Sequence, residues 1–369
     1  MLVVLTYAQT GKVEVQLHPL FCETVVLESI TKPLSDIADK LMGKDPDAPN
    51  IPDGDMQRVL DALASLNPLP IETLTPDEAR LQPTPADGAA KVLREKGMDP
   101  NDPLGVETQD ITYDGAAGPL PARVYIPEGS SPDKPLPVIL YFHGGGFVIA
   151  DIDVYDSSPR ALSKLVNAVV ISAEYRHAPE HKFPAAHDDA FAAYRWVLAH
   201  AAQYGGDPER VALVGESAGG NLALATAIEA RDVGLPLPVH QVLVYPVAGV
   251  NMETESYIKY ANAKPLNKAM MQWFVKHYTN GEQDLQDPRI DAIGKADLHG
   301  LPKTTLIMAE IDPLCSDGEI LAEKLKDAGV EVNSRVFEGA THEFFGMALV
   351  TGEAKLAGTM AAMDLRGSF

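Results

Sequence analysis

Short apolar runs that alternate with longer helical patterns constrain the fold of this chain more than any other feature. Residues 137–142 are almost continuously apolar, which is typical of a strand buried on both faces of a parallel sheet. Similar runs predict strands at 111–113, 122–126, 169–173, 211–214, 239–247, 305–309 and 330–337, with helices at 184–200, 221–231 and 318–328. This alternation predicts an α/β fold in which helices cover both faces of a mainly parallel sheet.

Two segments depart from this alternation. Residues 33–97 are helical in pattern with Pro-rich turns, and apolar residues recur at spacings of three and four between Met56 and Leu66. Thr75 followed by Pro76 predicts a helix start, and the Pro-rich residues 82–85 interrupt the helical pattern after it. Another predicted helix, 268–278, carries Met271, Phe274 and Val275 on one side. We expect an N-terminal region at 1–104, where 13–15 form a short strand, and a core at 105–369 with an insertion at about 250–300 over the ligand-binding edge of the sheet.

Charge and composition exclude several classes of protein. The net charge of −22 argues against nucleic acid or an anionic membrane surface as the main partner, because binding phosphate requires a basic surface. No stretch reaches the ~18 apolar residues of a membrane span, and the N-terminus lacks a basic region typical of a signal peptide, so a cytoplasmic protein is expected. Cys22 and Cys315 lie far apart in sequence. A single disulfide between them stays open, but neither a disulfide framework nor a zinc site is predicted.

The most informative motif is Gly-Glu-Ser-Ala-Gly at residues 215–219. Such a pentapeptide alone is weakly specific, but here it follows an apolar strand and precedes a helix, which is the context of a nucleophilic serine on a tight turn. Gly215 and Gly219 provide the small residues that this turn needs. We therefore predict that Ser217 is a nucleophile, in preference to a turn without chemical function.

A glycine triplet follows the buried strand 137–142. His143 and residues 144–146 leave backbone N–H groups exposed at the strand end, where such donors stabilise a tetrahedral oxyanion. We predict that Gly145, Gly146 and Ala218 donate these N–H groups and that Gly144 makes the turn. His143 is expected to support the loop and not to transfer protons. The segment forms neither of the glycine-rich phosphate-binding patterns.

A serine needs an adjacent base to act as a nucleophile. In strand–turn–helix sites of this kind the chain order is Ser, then Asp or Glu, then His, and four histidines follow Ser217. His342 is the favoured base because it follows the last predicted strand. Asp312 is the favoured acid that orients the imidazole, with Glu310 as its rival, because both follow the strand 305–309.

Taken together, these motifs resemble the bacterial hormone-sensitive-lipase-like esterases, family IV. The resemblance covers about residues 105–350 and depends on 143–147, on 175–180 with 183–186, on 215–221, and on Asp312 with His342. It implies an α/β-hydrolase fold with an eight-stranded sheet and a helical cap built from the N-terminal region and the insertion. It also implies hydrolysis of short-acyl carboxylic esters without cofactor or metal, and a homodimer paired through edge strands or helices near the C-terminus.

Two residues depart from the family pattern. Glu216 stands where many relatives have Asp, and Glu343 stands where many have Gly. Neither change removes a catalytic atom. A negative charge at Glu343 is expected to raise the pKa of His342.

The residues leave other functions open. The same three side chains would serve a lactone, a carbamate or an amide, and a non-catalytic small-molecule binding protein can share the fold. A dehydrogenase is disfavoured because the dinucleotide fingerprint is missing. Met56, Met271, Trp273 and Phe274 are candidates for the pocket wall, although helical spacing of apolar residues is more often a sign of core.

Overall fold

The computed structural model describes residues 50–131 and 134–369, together with the backbone of 3–7 and 13–17. The chain divides into two compact units, Met1–Ala48 and Pro49–Phe369. In the first, strands β1 (Val3–Tyr7) and β2 (Val13–Leu17) pair antiparallel, so the predicted strand at 13–15 is confirmed. Cys22 lies outside the described residues.

One eight-stranded sheet organises the second unit. Its strands lie in the order β10-β9-β8-β7-β5-β6-β4-β3, and β4 runs antiparallel to both of its neighbours while the other pairs are parallel. The predicted mainly parallel sheet is therefore confirmed. The strands are β3 (Val106–Gly115), β4 (Gly118–Pro127), β5 (Leu136–Phe142), β6 (Val169–Ala173), β7 (Gly206–Glu216), β8 (Gln241–Val244), β9 (Thr304–Ile311) and β10 (Val332–Thr341).

Eleven α-helices belong to the described part of the chain. They are α1 (Gly54–Ala64), α2 (Pro76–Ala79), α3 (Pro85–Glu95), α4 (Ser157–Val166), α5 (Ala185–His200), α6 (Ala218–Asp232), α7 (Glu255–Lys259), α8 (Lys268–Tyr278), α9 (Ala292–Lys295), α10 (Cys315–Asp327) and α11 (Gly352–Ser368). Short 3-10 turns occur at Ile71–Thr73, Ala201–Tyr204, Glu282–Gln286 and Phe345–Met347. Within these described residues, no helix combines the length and apolar character needed to cross a bilayer.

The packing of strand β5 explains why its sequence is apolar without interruption. Val138, Leu140 and Phe142 pack into the core on one face of the sheet, and Ile139 and Tyr141 pack into the core on the other face. Since all five side chains are fully buried, no position of the strand is free to be polar.

Strand β8 is shorter than the predicted 239–247. It ends at Val244 because Tyr245 turns the chain with a φ of 34°, and the carbonyl of Val244 accepts a hydrogen bond from the Ser217 N–H at 2.9 Å. The apolar residues beyond Val244 are thus buried against the turn that carries Ser217, and not in the sheet.

Arg80 joins the helices before residue 104 to the loops above the sheet. Its Nε and Nη2 atoms donate to the carbonyls of Val148 and Ala178, each at 2.9 Å, and its guanidinium pairs with Glu180 at 2.7 Å. Val148 lies two residues after Gly146. The Arg80 side chain therefore fixes α2 directly to the end of the glycine loop.

Substituting Arg80 with Met should lower the free energy of unfolding by about 2 kcal/mol, because two part-buried carbonyls lose a charged donor. Arg58→Met is the matched control, since the one ion pair of Arg58 among the described residues is an exposed pair with Asp55 on α1, and such pairs contribute at most about 1 kcal/mol. Chemical denaturation of both variants measures the difference. Equal losses in the two variants would contradict this role of Arg80.

Candidate active site

Ser217 occupies a strained turn between β7 and α6. Its φ of 56° and ψ of −116° place a non-glycine residue in the left-handed half of conformational space. A Cβ atom on Gly215 would lie 2.0 Å from the carbonyl oxygen of Gly219, and one on Gly219 would lie 2.1 Å from that of Phe142. Only glycine fits at these two positions, which explains the small residues that flank the serine.

The structure brings Ser217, His342 and Asp312 together in one line of hydrogen bonds. Ser217 Oγ lies 2.9 Å from His342 Nε2, and His342 Nδ1 lies 2.6 Å from Asp312 Oδ2. The other carboxylate oxygen of Asp312 accepts the N–H of Leu314 at 2.9 Å. Glu310, the rival acid, instead accepts the N–H of Gly339 at 2.7 Å. The three residues are buried and follow strands β7, β9 and β10.

The glycine loop lies beside the serine. Gly145 and Gly146 have φ values of 96° and 60°, and a Cβ atom on Gly146 would come within 2.2 Å of the Phe274 ring in α8. Among the residues that the structure describes, the N–H groups of Gly145, Gly146 and Ala218 donate to no protein acceptor. These three donors are therefore free to bind an oxyanion.

His143 is fully buried below this loop. Its Nδ1 lies 2.8 Å from the carbonyl oxygen of Gly144, its Nε2 lies 3.0 Å from Glu174 Oε1, and its ring stacks on Tyr175 with a centroid distance of 4.5 Å. It contacts no atom of Ser217 or Asp312 by hydrogen bond. This position agrees with the expected role of a support for the loop.

Two carboxyl groups, the buried Glu216 and the half-buried Glu343, flank the serine and the histidine. Burial raises the pKa of Glu216 to about 7, although hydrogen bonds from Tyr141 and Tyr245 oppose the rise. Burial also raises the pKa of Glu343, whose Oε1 accepts the Tyr155 hydroxyl at 2.5 Å. The three tyrosines were not predicted from the sequence, because Tyr141 and Tyr245 count as apolar residues in predicted strands and Tyr155 belongs to no motif.

His342 is more basic than an ordinary histidine. Burial by itself would lower its pKa, but the Asp312 carboxylate, and after it Glu343 and Glu216, raise the pKa above the usual value. Glu343 Oε1 lies 4.0 Å from His342 Nε2, the nitrogen that faces Ser217.

A cavity of about 650 Å³ opens above Ser217 and His342. Gly145, Gly146 and Glu343 also line it, and most of its remaining wall is apolar. Of the four predicted wall residues, Met271 and Phe274 line the cavity. Met56 packs in the core below α1, and Trp273 turns away and donates its indole N–H to the carbonyl of Leu74 at 3.0 Å. Those two predictions were wrong because the apolar face of each helix is wider than the cavity.

Known proteins share this architecture. A family profile described as alpha/beta hydrolase fold matches residues 139–346. The chain is 40% identical over 255 residues to carboxylesterase NlhH of Mycobacterium tuberculosis. The match covers 68% of this chain and 79% of the relative. It is 36% identical over 316 residues to esterase LipI of the same species, covering 84% and 98%. The solved structure of a hyperthermophilic esterase from the archaeon Pyrobaculum calidifontis superimposes with a TM-score of 0.76 at 34% identity, and the match covers 86% of this chain and 98% of that one.

The profile matches more than half of the chain, and the relatives match most of their own length. The chain therefore belongs to the α/β-hydrolase fold family, among the hormone-sensitive-lipase-like esterases that its motifs resemble.

Replacing Glu343 with Gln should move the acidic limb of the profile of kcat/KM against pH to lower pH. His342 must be deprotonated to accept a proton, so activity rises as pH passes its pKa. Removing a negative charge 4.0 Å from Nε2 lowers that pKa. Glu338→Gln, an exposed change on β10, is the control. An acidic limb that stays in place in Glu343→Gln would contradict the charge effect.

Proposed function

We propose that Ser217 is the nucleophile, His342 the general base and Asp312 the orienting acid of an esterase that acts through an acyl-enzyme. The chain is a carboxylic ester hydrolase. The observation that carries the assignment of residues is the unbroken line of hydrogen bonds from Ser217 Oγ to Asp312, at the base of the cavity.

The reaction follows from this geometry in two steps. His342 Nε2 takes the hydroxyl proton as Ser217 Oγ attacks the ester carbonyl, and the same nitrogen then protonates the departing alcohol. Water, deprotonated in turn by His342, attacks the acyl-enzyme and releases the acid. Asp312 holds Nδ1 protonated by its bond of 2.6 Å and stabilises the imidazolium that forms in each step.

The oxyanion of each tetrahedral intermediate is assigned to the N–H groups of Gly145, Gly146 and Ala218. Each is free of protein acceptors among the described residues, and Gly145 and Gly146 line the cavity beside Ser217. One such donor is worth about 3 kcal/mol of transition-state stabilisation in comparable enzymes.

We assign the substrate pocket to a cap formed by residues 50–104 and the insertion at about 250–300. Side chains from both segments line the cavity, among them Leu60 and Ile71 from the first and Met271 and Phe274 from the second. The wall is mainly apolar, which favours an uncharged acyl group, and short-chain esters are the proposed substrates. Lactones, amides and carbamates use the same chemistry and are the alternatives within enzymes.

A binding protein without catalytic activity is the alternative from another class. It is disfavoured because all three side chains are present and hydrogen-bonded. The homodimer remains a prediction. Leu356 and Met363 are seven residues apart on α11 and are 49% and 68% exposed, which offers a small apolar patch for a second copy. Cytoplasmic location also remains a prediction.

Substituting Ser217 with Ala should abolish hydrolysis of p-nitrophenyl acetate, butyrate, octanoate and laurate, with the parent protein favouring the shorter esters. Rates should fall by at least about 10³-fold, because the residual catalysis comes from binding and the oxyanion donors alone. Ser131→Ala is the control, since Ser131 is exposed and precedes β5, away from the strand ends that hold the site. Activity that survives in Ser217→Ala would refute this nucleophile, and an inactive parent protein would favour the binding protein.

Asp312→Asn should reduce kcat by about 10³- to 10⁴-fold, because an amide can donate to Nδ1 and thereby favour the wrong tautomer of His342. Glu310→Gln is the comparison that separates the two candidate acids, and its kcat should change by less than about threefold. Steady-state kinetics on p-nitrophenyl butyrate, with melting temperatures to check the fold, provides the measurement. The reverse order of effects would assign the role to Glu310.

A further inference from the structure

Three side chains beneath the glycine loop converge on one point. His143 Nε2 and His177 Nε2 lie 3.0 Å and 3.1 Å from the same oxygen, Oε1 of Glu174. These three donor atoms all lie within 4.8 Å of one another. His143 follows strand β5, while Glu174 and His177 follow strand β6, the neighbour of β5 in the sheet.

Neutral histidines do not have enough protons to explain the close contacts in this cluster as hydrogen bonds. The Nδ1 atom of His143 faces the carbonyl oxygen of Gly144 at 2.8 Å, and a carbonyl only accepts, so Nδ1 carries the proton. In the neutral ring Nε2 then presents a lone pair to a carboxylate oxygen, and two acceptors face each other at 3.0 Å. Either a second proton or a cation must lie between them.

His177 favours the cation. Its Nε2 atom is buried and makes no hydrogen bond within the described part of the chain, although it lies 3.1 Å from Glu174 Oε1. A second proton on His143 would leave His177 Nε2 facing Glu174 Oε1 at 3.1 Å without the alignment of a normal hydrogen bond. One metal ion would satisfy both nitrogens and the carboxylate at once.

We propose that His143, Glu174 and His177 bind a divalent transition-metal ion of the Zn²⁺ class. Two imidazoles and one carboxylate form a donor set that Zn²⁺ uses in proteins, with a fourth position left for water. Bonds of about 2.0–2.1 Å in a tetrahedron place neighbouring donor atoms about 3.3 Å apart. The separations of 3.0 Å and 3.1 Å need only a small expansion to reach that geometry.

The surroundings hold the ligands in the required orientation. Metal-bound histidines usually donate their other ring N–H to a carbonyl or a carboxylate, and His143 Nδ1 already faces Gly144 in this way. Tyr175 stacks on the same ring, and its hydroxyl donates to the carbonyls of His143 and Gly144 at 3.0 Å each. The side chains of Glu174 and His177 are 16% and 19% exposed, so an ion can enter from solvent.

The proposed metal site is separate from the catalytic cavity, because none of its three ligands lines that cavity. It is connected to catalysis through the backbone, since His143 directly precedes residues 144–146. No metal was expected from the sequence, and the ligand spacing explains why. His143 and Glu174 are 31 residues apart, and only the fold places the ends of β5 and β6 side by side.

The test is a titration of the full chain, freed of metal with EDTA, with ZnCl₂, CoCl₂ and NiCl₂ in an isothermal calorimeter. We expect one ion per chain, bound at least about tenfold more weakly in His177→Gln and in Glu174→Gln. His181→Ala removes an exposed histidine four residues after His177 and is the matched control, with unchanged affinity and unchanged esterase activity. Zn²⁺ at about 100 times its Kd should raise the Tm of the parent protein by about 3–5 °C and that of His177→Gln by less.

Melting curves in EDTA show whether each variant is folded, and two independent ligand variants are compared because one can fail to fold. Saturable binding that is unchanged in both His177→Gln and Glu174→Gln would overturn the site. So would the absence of a 1:1 binding heat with all three metals, which would mean that a second proton on His143, and not an ion, bridges it to Glu174. Neither result depends on the assignment of Ser217, so failure of the metal site is distinguishable from failure of the proposed function.

Discussion

The close approach of backbone segments beneath Ser217 is the constraint on which the site depends. The serine turn contacts the end of β5 through Gly219 and Phe142. The Ser217 N–H donates to the carbonyl of Val244, the last residue of β8, and the Ser217 carbonyl accepts the N–H of Val247 just beyond that strand. Left-handed, non-glycine backbone of this kind costs of order 1–3 kcal/mol and persists only where its surroundings fix it. Three neighbouring strands fix it here, so Ser217, the proposed nucleophile, is held rigidly by the sheet core.

The carboxyl groups beside His342 likewise depend on contacts that the fold imposes. Glu216 is buried beside His342 and accepts hydrogen bonds from Tyr141 and Tyr245, and the half-buried Glu343 accepts one from Tyr155. Burying an unpaired carboxyl costs free energy, so these groups would be expected only where the hydrogen bonds or a functional gain offset that cost. Their negative charge favours the protonated imidazole that appears in both steps of the proposed reaction. Glu343 also has a left-handed φ of 70°, a conformation in which glycine would be unstrained. A glutamate at this strained position therefore also indicates a functional gain from its carboxylate.

The sequence predicted most of the architecture and less of its detail, for identifiable reasons. Helix α8 has the predicted bounds because local signals define them: Asn267 caps its first turn by accepting the N–H of Met270. Strand β8 was predicted too long because apolar character reports burial and not strand geometry. The identities of Ser217, Asp312 and His342 were predicted from motifs in chain order, and the structure places them in hydrogen-bond contact. The tyrosine partners of the buried carboxyls depend on contacts between distant segments, such as Tyr155 with Glu343, and no local pattern indicates them.

The glycine loop links all of these features. Gly146 touches Phe274 of α8, Gly144 lies so close to Tyr155 that a Cβ atom would come within 2.3 Å of its hydroxyl, and Val148 accepts from Arg80. The loop is therefore clamped from three sides while its N–H groups stay free of protein acceptors among the described residues. Donors that are fixed before substrate arrives need no reorganisation as charge develops, which is the condition for strong electrostatic stabilisation. Any change that loosens α8, α2 or the Tyr155–Glu343 contact should consequently reduce kcat, although none of these elements carries a reacting atom.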